Sequence, residues 1–357
     1  MSRKILVMAH MGRQEAKDAA RASCLQLHDA GLVPVVSRDD LEALREDEAP
    51  LAPVEVIEED VSLREIELVM VLGGDGSILR AAELVRNVDT PLLGVNLGHV
   101  GFLAESERSD LAGTVQAVVD GLYTVEQRMA IDVTVWQGGK KVLHTWALNE
   151  ASVEKGNREK MIEVVVEVDR RPLSTFGCDG MVLATPTGST AYAFSAGGPV
   201  VWPEVEALLM VPLSAHALFS RPLVISPNSM MAVEVLTRTD ARGVLWCDGR
   251  RTTELPPGSR IEVVRSPKAV NLARMHRTPF SERLVKKFEL PTSGWRGPVP
   301  PHEAAEALTS ALPLVHHDQA GADRPDAPPR SGPGHEIPHA PETSPAGAGT
   351  RRRRPAE

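Results

Sequence analysis

Cysteine is scarce in this chain of 357 residues, and the three present, Cys24, Cys178 and Cys247, stand far apart without metal-ligand spacing. Neither a zinc site nor a disulfide framework is expected, and the thiols read as those of a reducing compartment. No run of eighteen or more apolar residues occurs, so no helix long enough to span a membrane is expected. The body of the chain carries no basic patch, and the formal net charge is −9, which argues against a nucleic-acid partner. The one strongly basic run, Arg351–Arg354, falls in a Pro-, Ala- and Gly-rich tail, residues 297–357, that reads as disordered and solubilising. The apolar run Ile5–Ala9 is of strand length and is followed by no small-residue cleavage site, so it is not expected to be a secretory signal. A cytoplasmic protein is expected.

What is present is a change of hydrophobic period near Thr124. Before it, strand-like and helix-like segments alternate. Lys4–Ala9 is a short strand, and residues 14–30 place Ala16, Ala20, Cys24 and Leu27 at helical spacing before Gly31. Leu32–Val36, Leu68–Leu72 and Pro91–Val95 read as further strands, and Ser77–Val85 as a helix. This alternation predicts a mostly parallel sheet with flanking helices over residues 1–124. After it the period becomes two, in Ile131, Val133 and Val135 and again in Ile162, Val164, Val166 and Val168, with Gly and Asp turns between. An all-β, sandwich-like second domain is expected over residues 125–266. Residues 271–288 read as helical again, and residues 267–292 are expected to return to the first domain.

Four clusters carry chemistry. Gly73-Gly74-Asp75-Gly76-Ser77 follows an apolar strand and opens a helix. Glycines there permit positive φ and a close approach of backbone N–H groups, and the helix N-terminus suits phosphate. An aspartate in such a turn fits a hydroxyl or a Mg²⁺ ion, or else simply caps the helix. The G-x-G-x-x-G fingerprint fails because Leu79 stands at the third glycine, and no G-x-x-x-x-G-K-[ST] occurs. Asn96–Leu103, with His99, follows the next strand and so should share its crevice. Asn149-Glu150 offers an amide beside a carboxylate, suited to ribose hydroxyls or an adenine amino group, or to solvent at a strand end. Cys178–Pro199 is dense in small and hydroxyl residues and holds Tyr192, one of two tyrosines. Such a run suits a flat ring better than it suits a plain loop.

In this order the clusters resemble the bacterial NAD kinases over Lys4 to Pro291. The matching blocks are GGDGSILRAA from Gly73, NLGHVGFLAE from Asn96, LNEASVEKG from Leu148, DGMVLATPTGSTAYAFSAGGPVV from Asp179, SRPLVI from Ser220 and DGR from Asp248. The GGDG turn alone is shared with phosphofructokinases and lipid kinases. The Asn-Glu pair followed by TPTGSTAY is what narrows the resemblance. It implies the family fold, an α/β domain joined to a β-rich domain, and phosphoryl transfer from ATP, or polyphosphate, with Mg²⁺ to the 2′-hydroxyl of NAD's adenosine ribose.

By the same resemblance Asp75 matches the catalytic aspartate, and Gly73, Gly74 and Gly76 contact phosphate. Arg80, Asn149, Glu150, Lys160, Asp179 and the stretch Thr190, Ala191, Tyr192, Ala193, Phe194 and Ser195 match positions facing NAD. A homodimer or homotetramer is implied. Trp202 replaces the histidine of many relatives, and Phe219 a small or polar residue, which bears on packing or effector response. Two alternatives stay open: a lipid or sugar kinase built on the same turn, and a non-catalytic NAD-binding sensor.

Overall fold

The computed structural model describes residues 2–46, 49–98, 101–104, 106–107, 110–156, 160–218, 220–238, 240–275 and 279–292. His99, Phe219 and the tail from Gly297, with Arg351–Arg354, lie outside the described residues. Residues 1–295 form one unit.

The first part of the chain supplies strands β1 (Lys4–Ala9), β2 (Val33–Val36), β3 (Glu55–Val56), β4 (Leu68–Leu72), β5 (Leu92–Asn96), β6 (Ser106–Glu107) and β7 (Thr124–Arg128). Between them lie helices α1 (Gln14–Asp29), α2 (Arg38–Arg45), α3 (Asp75–Leu84) and α4 (Leu111–Val119). Every residue of β4 is fully buried, because both of its faces are covered. Leu68, Met70 and Leu72 meet Ala16, Ala20, Cys24 and Leu27 of α1. Val69 and Val71 meet Ile78, Leu79, Ala81 and Ala82 of α3. A near-continuous apolar run is what such a two-faced parallel strand requires.

The middle of the chain is almost all strand and turn. It runs through β8 (Ile131–Gln137), β9 (Lys140–Ala147), β10 (Glu150–Lys155), β11 (Ile162–Val168), β12 (Arg171–Cys178) and β13 (Gly180–Ala184). One helical turn, α5 (Tyr192–Ser195), follows. Then come β14 (Leu208–Leu213), β15 (Leu223–Ile225), β16 (Met231–Val235), β17 (Gly243–Cys247), β18 (Arg251–Leu255) and β19 (Arg260–Arg265). These strands make two six-stranded sheets, ordered β15-β14-β13-β10-β17-β18 and β12-β11-β16-β19-β8-β9, and all their pairings are antiparallel. The inward residues of both, among them Val133, Val153, Val164, Leu183, Val233 and Ile261, share one core. An α/β part with an all-β, sandwich-like part is thus the fold.

Two sequence expectations need correction. The boundary at Thr124 places β7 in the β-rich part, yet β7 closes the edge of the first sheet. The helical reading of residues 271–288 holds only in part: Val270–Arg274 is a strand, β20, and the helix α6 spans Phe280–Phe288. Strand β20 inserts between β5 and β7, giving the order β3-β2-β1-β4-β5-β20-β7, with β6 also on β5. Leu272 pairs parallel with Leu92, and Val270 to Arg274 pair antiparallel with Arg128 to Thr124. Both misreadings have one cause. Hydrophobic period distinguishes buried from exposed faces but does not say which sheet a strand joins, and a five-residue apolar run fits either period.

Candidate active site

In the first sheet the chain order reverses between β1 and β4, so the loops leaving their carboxyl ends diverge and leave a crevice. A cavity of about 460 Å³ opens there. His10 and Arg13 from the loop after β1 line it, as do Gly73, Gly74, Gly76, Ser77 and Arg80 from the turn after β4 and the start of α3. Asn96, Leu97 and Gly98 close it from the loop after β5, and Arg250 reaches in from the β-rich part. The two glycine loops expected to share a crevice do so. None of Gly73, Gly74 and Gly76 takes a positive φ, so their use is close approach alone. A methyl on Gly74 or Gly76 would meet nothing within 4 Å, so the space beside both residues is open, while the Ser77 amide already donates to Gly74 O at 2.9 Å.

Asp75 does not cap α3; Gly74 stands at the N-cap and Asp75 is the first helical residue. Its side chain instead turns toward the loop after β5. Oδ2 accepts the Phe102 N–H at 3.0 Å and Oδ1 the Leu103 N–H at 3.1 Å. That loop is gripped in turn from the returning segment. Arg283 Nη1 on α6 donates to Phe102 O at 3.1 Å, and Arg274 Nη1 on β20 donates to Leu103 O at 2.9 Å. Arg274 is itself buried and paired with Glu126 at 2.8 Å. Phe102 O and the Leu103 N–H belong to one peptide group, so Arg283 and Asp75 sit at opposite ends of a single amide dipole. Each carboxylate oxygen keeps a second lone pair for another donor.

Asn149 and Glu150 are delivered by a different device. Between β17 and β18, Asp248 and Gly249 both have left-handed backbone, φ 53° and 62°, and Arg250 N–H closes the turn on Cys247 O at 3.1 Å. This is the Asp-Gly hairpin turn of the primed type. It aims the buried Asp248 carboxylate at the start of β10, where it accepts Leu148 N–H at 3.0 Å and Asn149 N–H at 2.7 Å. Asp248 N–H donates to Glu150 O at 2.9 Å. Burial raises the Asp248 carboxyl, opposed by the Leu148, Asn149 and Glu150 amides and by Arg251. Glu150 has less help. Burial and the charge of Asp248 push its carboxyl up to about 8, against one favourable bond from the Tyr192 amide. Its Oε2 is buried with no hydrogen-bond partner.

The remaining expected residues fall in two places. Tyr192 and Asp179 line a second cavity of about 450 Å³ with Glu154, Lys155, Gly156, Leu213 and Ser214. Asp179 holds Lys155 Nζ at 2.5 Å, which draws its carboxyl below the usual range. Thr190 and Ala191 end the turn before α5, and Ala193 is buried beneath it while Phe194 and Ser195 are exposed. The Phe194 ring stacks on Phe288 of α6 at 4.3 Å. Phe102, whose amide holds Asp75, lies between Phe280 and Phe288 at 5.8 and 5.6 Å, and Trp202 meets Phe280 edge-on at 5.1 Å. Lys160 is exposed at the approach to β11 and lines neither cavity.

Comparison with known proteins gives this geometry its context. Residues 5–123 match the profile of the ATP-NAD kinase N-terminal domain, and residues 148–275 that of the ATP-NAD kinase C-terminal domain. The chain belongs to the ATP-NAD kinase family. It is 59% identical over 296 residues to an NAD kinase of Leifsonia xyli, covering 83% of this chain and 97% of that protein. To an NAD kinase of Thermobifida fusca it is 56% identical over 301 residues, covering 83% and 92%. Among solved structures, yeast NADH kinase complexed with NADH superposes with a TM-score of 0.73 at 24% identity, covering 82% of this chain and 89% of that one. An NAD kinase from Archaeoglobus fulgidus in complex with ATP gives 0.61 at 23%, covering 81% and 100%. The two family profiles flank residues 124–147, where the chain leaves the first sheet.

The motifs of the family lead to Asp75, Asn149 and Glu150, but not to what holds them. His10 and Arg13 were missed, although polar residues directly after the first strand of an α/β unit are a readable signal at a switch point. In the sequence Asp248 is visible only as a motif without a task. Arg274 and Arg283 have no sequence signal, because their partners in the site are carbonyl groups.

Proposed function

We propose that this chain is an NAD kinase that transfers the γ-phosphoryl group of ATP to the 2′-hydroxyl of the adenosine ribose of NAD. The observation that carries the reading is Asp75, fixed by two backbone amides and flanked in the chain by Gly74 and Gly76, which line the cavity at the sheet's switch point. The donor phosphates lie along Gly73, Gly74 and Gly76, where the α3 amides and the side chains of Arg13, Arg80 and Arg250 oppose their charge. Asn149 and Glu150 hold the adenosine part, and Asp179 and Thr190 to Ser195 line its other side. Lys160 is a further substrate contact at the periphery. Glu150, protonated near neutral pH, can donate as well as accept.

Asp75 accepts a hydrogen bond from the 2′-hydroxyl on a free lone pair and so points that oxygen at the γ-phosphorus. A carboxylate is a weak base for an alcohol, but a loose phosphoryl-transfer transition state needs positioning more than early deprotonation. The described residues contain no group of three or more His, Cys, Asp or Glu able to cage a metal. A single carboxylate beside a phosphate cradle fits Mg²⁺, which such sites hold by one or two carboxylates and the substrate's own phosphates. Asp75 would help hold it, and when bound it neutralises charge on the transferring group. Polyphosphate as a second donor, a cytoplasmic location and a homodimer or homotetramer belong to the same reading. No helix among the described residues is long and apolar enough to cross a membrane.

The test is a coupled assay with NAD, Mg²⁺ and either ATP or polyphosphate, in which an NADP-specific dehydrogenase reads the product. Wild-type protein should form NADP. Asp75→Asn should lower kcat by orders of magnitude with NAD binding nearly unchanged. NAD bound without turnover by the wild type, or full turnover by the variant, would sink the assignment.

A further inference from the structure

Asp75 opens helix α3, which packs on the first sheet, whereas the Asn149-Glu150 pair stands at the start of β10 in another sheet, so some contact must keep the adenosine-binding pair in register with the aspartate. Helix α3 begins at Asp75, and Glu83 lies near its other end, about 12 Å along the axis at 1.5 Å per residue. Glu83 Oε1 lies 3.1 Å from Arg251 Nε and 3.3 Å from Arg250 Nε. Arg251 Nη2 binds Asp248 Oδ2 at 2.8 Å. Asp248 in turn holds the amides of Leu148 and Asn149. A chain of ion pairs and hydrogen bonds therefore runs from the far end of the Asp75 helix to the backbone of Asn149, its Glu83–Arg251 link being an ion pair without hydrogen-bond alignment.

A parallel contact runs beside it. Arg86 directly follows Val85, the C-cap of α3, and its guanidinium lies over the Trp146 ring at 4.2 Å. Arg251 lies over the same ring at 4.9 Å. Arg86 also donates to Ser266 Oγ at 2.6 Å and to Lys268 O at 2.9 Å. The end of α3 is thus tied to the end of β9, to the β17–β18 turn and to the segment that leads back to the first sheet.

We propose that Glu83 is a positioning residue for phosphoryl transfer, setting the placement of Asn149 and Glu150 relative to Asp75 through Arg251 and Asp248. It touches no substrate. It also holds Arg250, which lines the donor cavity, so one carboxylate fixes both the acceptor-binding pair and a donor-facing cation. The proposal rests on the kinase reading. A partly buried ion pair with no such role changes stability and leaves the turnover of each folded molecule alone, whereas displacement of a reacting group by about 1 Å costs on the order of 100-fold in rate.

The experiment compares Glu83→Ala, Glu83→Gln and Glu83→Asp with wild type for kcat, KM for NAD and for ATP, thermal midpoint and NAD affinity by calorimetry. The side chain of Glu83 is a quarter exposed, and the variants are expected to fold. Glu83→Ala should lower kcat by about 10- to 100-fold, with NAD affinity within about threefold of wild type and a midpoint lowered by no more than several degrees. Glu83→Asp should restore part of that loss. Turnover of Glu83→Ala within about twofold of wild type overturns the proposal, and so does a loss that only tracks the folded fraction across the three variants. A wild-type protein that makes no NADP fails the kinase reading instead, so the wild-type assay separates the two failures.

Discussion

Substitution of Gly188 by alanine isolates the placement of the Asn149-Glu150 pair from everything else in the site. Gly188 lies in the short helical turn Thr187–Thr190 and donates its N–H to Thr185 Oγ1 at 3.1 Å, while Thr185 N–H and Oγ1 bind Asn149 O and Leu148 O at 2.9 and 2.6 Å. A methyl group on Gly188 would stand 2.5 Å from the Asn149 carbonyl carbon and 2.9 Å from its Cα. Carbon atoms in contact prefer about 3.5–4.0 Å, so the two backbones must part by about 1 Å. The obstacle is backbone on both sides, and no side chain can swing away. Overpacking of this kind costs about 1–3 kcal/mol, which a domain of ordinary stability survives. The segment pushed outward is the one proposed to hold the adenosine part, and a misplacement of about 1 Å is worth on the order of 100-fold in rate. Gly188→Ala should therefore stay folded, with a midpoint lowered by several degrees, and lose about 100-fold in kcat/KM for NAD. The coupled NADP assay and thermal unfolding, run on one preparation, read both quantities. Full kcat/KM in a folded variant would refute the argument that this backbone contact sets the site.

Gly101→Ala should act on the other half of the site, since its methyl would stand 2.9 Å from Asp75 Cγ; kcat should fall with little change in KM for NAD, measured by initial rates. Glu150 gives a pH test. Its folded carboxyl is raised from 4.5 to about 8, so the unfolded state ionises first and stability is lost as pH rises from about 4.5 to about 8. Glu150→Gln should accordingly raise the thermal midpoint over wild type at about pH 9 and close that gap at about pH 5; an equal gap at both would show that the carboxyl titrates normally. Burial pushes the thiols of Cys24, Cys178 and Cys247 up to about 12, so the native protein should resist a thiol reagent that labels all three once denaturant is added.

Much of this is legible in the sequence because the relevant physics is local. A strand ending in Gly73-Gly74-Asp75 and continuing as a helix is a local arrangement, and so is the two-residue period of β8 or β11. What escapes is long-range. The partner of Asp75 is a pair of amides about 27 residues away, and an amide at residue 102 looks like any other amide in a sequence. Asp248 reads as a motif without a task because its task is to bind Leu148 and Asn149, about 100 positions earlier. The helical reading of residues 271–288 fails at Val270–Arg274 because two neighbouring strands supply its hydrogen bonds, overriding local preference.

The position of β20 also bears on how the molecule is made. Its pairing of Leu272 with Leu92 joins points about half the chain apart, and among the described residues β7 has no neighbour in the sheet other than β20. While a ribosome is still translating the β-rich part, β5 near Leu92 and the whole of β7 must wait without that partner. At about 5–20 residues per second the wait lasts on the order of ten seconds or more. An open strand edge is a template for wrong pairing during that time. The β-rich part contains all the strands of its own two sheets and can close first, so the sheet that carries Asp75's helix is expected to be the last piece of the nascent chain to lock.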